Sequence, residues 1–339
     1  MNEYSFRIRA VCLVSAVFLL LVAPLAAGQT SQKVITWNFS AGSPAAPGGA
    51  YHTYTWGPFA NIIAADTNNR LKLTVHENLL NATRVIEGVR DGTVDMGTQI
   101  IGFRGELNLF NFVALPIVPN EKAPEIVKAM RPTFRKWMAE KEDVVLLGYG
   151  YWAKQRLFSK KPIRTLEDMK GYKLRVANPE TLEMIKSVGG NPVFMPMSEC
   201  YPGLQRGVIE GGTTSLEGVI ANKWYEVVQY TCDWPIGNAA FVWIANKRSW
   251  AALPTDLQNQ ILKLFEDKYE PATLKGGLED DARYQAQLEK LGMKFIKPDP
   301  EEVKRYLEKA PPILTKWKQS LGAESSEMSA VLNKVLGVK

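Results

Sequence analysis

The stretch from Pro162 to Ile220 leaves a chain of this kind few folds to choose from. Lys173-Leu174-Arg175-Val176 is a short apolar/basic alternation bounded by Gly171, the pattern of a strand. Asn178-Pro179 then starts a helix, with Asn as N-cap and Pro at the first helical position. Leu182, Ile185 and Val188 follow at a spacing of three on one helix face. Gly189-Gly190 supplies the left-handed residue on which helices end, and Asn191 to Met197 reads as the next short strand. A strand–helix–strand unit predicts an α/β fold. Arg175 falls near the carboxyl end of its first strand, where open α/β sheets take their ligands. A guanidinium beside a helix N-terminus favours a carboxylate there. On spacing alone two readings stay open: an anion clamp, or a solvated arginine at a strand end.

The flanking sequence extends the same architecture. Val34 to Phe39 reads as an opening strand, Ala41 to Ala50 as a loop, and Tyr51 to Asp66 as a helix. The loop lacks the Gly-Lys-Ser/Thr ending of a phosphate loop. Leu71 to Val75 alternates as a strand. Asn81 can cap a helix carrying Val85, Ile86 and Val89, which Asp91-Gly92 ends before a strand from Val94 to Ile101. This βαβαβ run is half of a parallel sheet. Pro124 to Met138 is an amphipathic helix with Ile126, Val127, Met130, Phe134 and Trp137 inward, and Val144 to Tyr151 is a strand. A further strand is expected over Ala239 to Ala245. Leu253-Pro254 opens a helical tract to about Leu291, which Pro271 and Gly276-Gly277 should kink or break. Terminal helices are expected over residues 301–339.

With 339 residues the chain can build two core-forming lobes. Its 46% hydrophobic and 22% charged residues are ordinary for a soluble globular protein. The net charge of +6 suits an anionic ligand, and no Lys/Arg block is dense enough to suggest nucleic acid. Residues 1–28 read as a signal peptide: Arg7 and Arg9 form a positive start, Ala10 to Val22 is apolar, and Ala26-Ala27-Gly28 offers small residues for cleavage. The expected location is the periplasm, where disulfides persist, so Cys200 and Cys232 can pair or stay free.

The series from Leu166 through Lys170-Gly171-Tyr172-Lys173-Leu174-Arg175-Val176, then Gly190 to Tyr201, then Leu204-Gln205-Arg206-Gly207-Val208-Ile209-Glu210-Gly211 resembles one family. It is that of the DctP-type solute-binding proteins of tripartite ATP-independent periplasmic (TRAP) transporters, and the likeness runs through roughly the whole mature chain. It implies a two-lobed periplasmic binding protein, with two α/β domains joined by crossing strands and a long helix along both lobes. Residues 33–150 plus about 237–255 would form the first lobe, residues 151–236 the second, and residues 256–339 a helical tract packed on both. It further implies a small organic acid held in the cleft, chiefly by Arg175, and a membrane permease as partner.

The family often carries a second ligand-binding arginine where this chain has Lys154, with Arg156 two residues on; lysine offers a point charge in place of a planar fork. An asparagine that binds the ligand carboxylate in many members is replaced here by Thr214, beside Thr213; hydroxyls can still donate. Glu199 and Tyr201 match a family pair, although Glu199 better suits a first-turn charge complementing a helix dipole. Tyr151 and Trp152 are candidates for apolar walls of the cleft, with packing at a lobe boundary as the alternative, and Trp234 is a further candidate to face it.

His52 and His76 are far apart in sequence, and no cysteine–histidine cluster, paired carboxylates or nucleophile motif presents itself. No cofactor or metal is therefore expected. The reading is a binding protein, not an enzyme. An ABC-type binding protein, a sensory ectodomain and a periplasmic enzyme are the alternatives, in decreasing agreement with the sequence.

Overall fold

The computed structural model of this protein describes residues 34–337 apart from Pro44 and Asn78. The expected signal peptide lies outside the described residues. The chain opens with β1 (Ile35–Ser40) and β2 (Leu71–His76), paired in parallel from Ile35 opposite Leu71 to Ser40 opposite His76. β3 (Met96–Ile100) lies parallel to β1 on its other side. Alternation along β1 and β2 buries Trp37, Phe39, Leu71 and Leu73, which pack with Phe59 and Ile63. The stretch expected as one helix over Tyr51 to Asp66 is two, Ala50–Thr55 and Gly57–Asp66, with Trp56 extended between them. Pro58 is the cause, because it has no N–H to continue the first helix and its ring excludes the preceding turn.

The helix Ala123–Lys141 buries Ile126, Val127, Met130, Phe134 and Met138 and leads into β4 (Val144–Lys154). One residue later the chain enters a second sheet with β5 (Arg156–Ser159). β6 (Lys173–Val176), β7 (Asn191–Phe194), β8 (Gly211–Thr214) and β9 (Tyr230–Cys232) follow. The chain returns to the first sheet as β10 (Asn238–Asn246), antiparallel to both β3 and β4. The first sheet thus has the order β2-β1-β3-β10-β4. The second takes β11 (Lys294–Ile296) at one edge and has the order β11-β9-β5-β8-β6-β7. β11 corrects the expectation of an all-helical tract after residue 256: three residues pair in parallel with β9. The two-sheet α/β architecture is the one the sequence predicts.

The long helical tract is interrupted, though not at the glycines. A helix over Thr255–Leu264 passes through a wide π turn at Phe265–Tyr269 into the helix Glu270–Lys290. Pro271 sits in the first turn of the last segment, where a missing N–H is tolerated. Gly276 lies within this helix, where Ala50 leaves no room for a side chain: a Cβ at Gly276 would stand 2.6 Å from that of Ala50.

The return crossing depends on Gly237. Its φ is +96°, and a Cβ there would lie 2.3 Å from the Ala114 carbonyl oxygen. Gly237→Ala is therefore expected to destabilise the protein by about 2 kcal/mol or more through backbone strain and overpacking. Urea denaturation reads this directly, and an unchanged midpoint would contradict it. No helix among the described residues is long and apolar enough to cross a membrane.

Candidate functional site

β6 and β8 are parallel neighbours, and the chain after each turns into a helix at the same place. Asn178 caps the helix Pro179–Ser187, accepting a hydrogen bond from the Thr181 N–H; Ser215 caps the helix Leu216–Ala221 by accepting from Gly218 N–H. Arg175, Ala177, Asn178, Thr214 and Ser215 therefore share one wall of a cleft. Ile100, Gly102 and Phe103, at and just beyond the end of β3, contribute to the other side with Asn111, Trp152, Asn238 and Ala239. Counting the part open to solvent, the empty space of the cleft is about 550 Å³. Gly102 lets the two sides approach, since a Cβ there would be 3.3 Å from the Asn178 Cβ. The cleft lies where strand carboxyl ends and a helix N-terminus converge, an arrangement suited to an anion.

Arg175 is the electrostatic centre of this cleft. It is 1% exposed, yet no carboxylate among the described residues pairs with it. Its Nε donates to the Met195 carbonyl oxygen at 2.9 Å and its Nη1 to that of Thr213 at 2.7 Å. Nη2 is buried without a partner among the described residues. Burial lowers the guanidinium's pKa from its ordinary value, while the nearby Cys200 thiol acts weakly the other way. Arginine nevertheless stays protonated in proteins. The two carbonyls fix the guanidinium and leave one edge of it without a hydrogen-bond acceptor.

Two buried carboxyls stand behind neutral residues of the cleft, and no local pattern in the sequence marks either. Asn111 Nδ2 donates to Glu180 Oε2 at 2.6 Å, and Trp152 Nε1 donates to Glu217 Oε2 at 2.9 Å. The Ala46 N–H also donates to Glu217, at 3.2 Å. Each acid reads from sequence as an ordinary first-turn helix charge; only the contact between segments 69 and 65 residues apart buries it. Burial pushes both carboxyls up to about 7. The Glu180 backbone N–H and Asn111 oppose the rise at Glu180. At Glu217, Trp152, the Ala46 N–H and Arg283 oppose it, and Asp280 adds to it.

The folded state thus holds these protons more tightly than an unfolded chain, whose glutamates titrate near 4.5. The stability they contribute is complete below that pH and is lost as pH rises towards about 7. Glu217→Gln is expected to flatten the fall in stability across this window. Urea midpoints at the two ends check it, and equal slopes in variant and parent would contradict it.

The other candidate residues disperse. Thr214 lines the cleft, and Trp152 does so with its ring stacked on Tyr51 at 4.2 Å. Thr213 is buried beside Arg175 and meets it through its backbone carbonyl. Lys154 does not line this cleft: it borders a neighbouring cavity, and its Nζ is 2.5 Å from Asp233 Oδ1. Arg156 is buried, paired with Asp281 and, through Nε at 3.3 Å, with Asp233. Tyr151 points into the core, 5.3 Å from the Tyr149 ring, and is no wall of the cleft.

Trp234 is a second correction. It is fully buried in the core of the second sheet, its Nε1 donating to the Ile163 carbonyl oxygen at 2.9 Å. Glu199 is exposed in the first turn of the helix Met197–Gln205, outside the cleft lining and in the dipole-complementing position. Cys200 and Cys232 are free buried thiols in separate core clusters. Among the described residues, no group of His, Cys, Asp and Glu side chains could hold a metal ion.

Comparison with known proteins gives a consistent result. The sequence profile of the bacterial extracellular solute-binding proteins, family 7, matches residues 42–320. The C4-dicarboxylate-binding periplasmic protein DctP of Vibrio cholerae is 24% identical over 197 residues, 55% of this chain and 57% of that one. DctP7 of Bordetella pertussis, an extracytoplasmic solute receptor binding pyroglutamic acid, is similar in fold with a TM-score of 0.79 at 23% identity. That similarity covers 88% of this chain and 99% of the receptor. A TRAP periplasmic solute-binding protein of Bordetella bronchiseptica with bound (R)- and (S)-mandelate gives a TM-score of 0.78 at 21% identity, covering 89% and 99%.

Proposed function

The chain belongs to the bacterial extracellular solute-binding proteins, family 7, and from that premise we propose that it is a receptor for a small organic acid, working outside the cytoplasm. The acid's carboxylate would sit on the edge of Arg175 that lacks an acceptor, between the two sheets, and the loaded receptor would deliver it to a TRAP membrane permease. Arg175 carries this reading. A buried charge without a counter-ion is costly, and an incoming carboxylate supplies both the missing charge and the acceptor for Nη2. The receptors of B. pertussis and B. bronchiseptica hold pyroglutamic acid and mandelate, which are both carboxylic acids.

The protein's work would be binding and release, with no bond made or broken. Residues from both sheets line the cleft, so a ligand touching both sides would favour a closed arrangement over an open one by its differential contacts. Residues 1–28 would direct export to the periplasm and be removed. A thermal-shift screen against small carboxylates tests the reading, because a ligand at a hundred times its Kd stabilises the native state by about 2.7 kcal/mol. A specific shift with a carboxylate is the expected result. Shifts with neutral solutes alone would overturn it.

A further inference from the structure

We propose that the cleft is built for an acid with a single negative charge and a neutral far end that donates a hydrogen bond, and that it rejects dicarboxylates; this rests on the organic-acid reading above and narrows it. Among the described residues lining the cleft, Arg175 is the one that carries charge. The two cations that the sequence offers as a second partner, Lys154 and Arg156, are already engaged. Lys154 is paired with Asp233 and borders the neighbouring cavity, and Arg156 is held by Asp281 and Asp233. A second carboxylate on the ligand would therefore leave water for a site that offers it no free cation. It would also approach walls with acids behind them, Glu180 behind Asn111 and Glu217 behind Trp152. Burial of an unpaired carboxylate is among the costliest exchanges a site can make.

Asn111 shows what the far end should offer instead. One N–H of its Nδ2 is held by Glu180, while its amide oxygen accepts no hydrogen bond among the described residues. A ligand N–H or O–H suits that oxygen; a carboxylate, which only accepts, does not. With Ile100, Phe103 and Met197 as apolar lining, the site matches a compact hydroxy, lactam or amide acid.

Calorimetric titration of the purified protein at neutral pH tests this with two sets of probes. The singly charged set is pyroglutamate, mandelate, benzoate and succinamate; the doubly charged set is succinate, malate, glutarate and phthalate. The expected result is that the tightest singly charged acid binds about tenfold or more tighter than any dicarboxylate, given the cost of an unpaired buried charge. A dicarboxylate binding within that margin, or more tightly, would overturn the single-charge inference and leave the organic-acid reading standing. Binding of no acid from either set would overturn both.

Discussion

Arg175→Met is expected to weaken binding of an organic acid by about two to three orders of magnitude, as the loss of a desolvated charge pair does. The same substitution should change the stability of the ligand-free protein by only about 1 kcal/mol. Two effects oppose each other there. The variant orphans the carbonyls of Met195 and Thr213, and it also removes a buried cation that no carboxylate balances. Arg175→Lys should bind almost as poorly as the methionine variant. An ammonium cannot reproduce Nε to Met195, Nη1 to Thr213 and a free Nη2 at fixed angles. Titration with the acid found in the thermal-shift screen, beside urea denaturation without ligand, separates binding from folding. A methionine variant that binds like its parent would remove Arg175 from the site.

The second large effect concerns the scaffold. Arg131 donates through both terminal nitrogens to Glu270, at 2.8 and 2.7 Å, and Glu270 also accepts from the Tyr149 N–H. This ties the start of the long helix Glu270–Lys290 to β4, whose far end carries Trp152 to the cleft. Glu270→Ala leaves the largely buried Arg131 with only Glu266, 3.7 Å from its Nε, and should cost about 3 kcal/mol. Removing Arg131 as well, in a double variant with apolar residues of similar volume, should recover much of that loss. Chemical denaturation of the four proteins of this cycle measures both. Additive losses would mean that the pair is not coupled.

What the sequence made legible follows from the range of the interactions involved. The unit from β6 through its helix to β7 was readable because strand alternation, the Asn178-Pro179 start and Gly189-Gly190 are local signals. They also fixed Arg175 at a strand end. Its lack of a counter-ion depends on what surrounds it in space, and no spacing reports that. Trp234 lies close in sequence to the return crossing, which suggests the cleft, but its indole is held in the core by the Ile163 carbonyl. Lys154 sits two residues beyond Trp152, but Asp233 engages it, and Asp233 lies 79 residues away. Asn111, Glu180 and Glu217 were missed for the same reason: a first-turn glutamate gives no local sign that it will be covered.

The most direct measurement is a crystal structure of the protein with the acid selected by the thermal-shift screen. The account predicts a carboxylate oxygen within hydrogen-bonding distance of Arg175 Nη2, with the Met195 and Thr213 contacts retained and Lys154 still on Asp233. An acid bound in the cleft with its carboxylate on other groups, and Nη2 still without a partner, would contradict it.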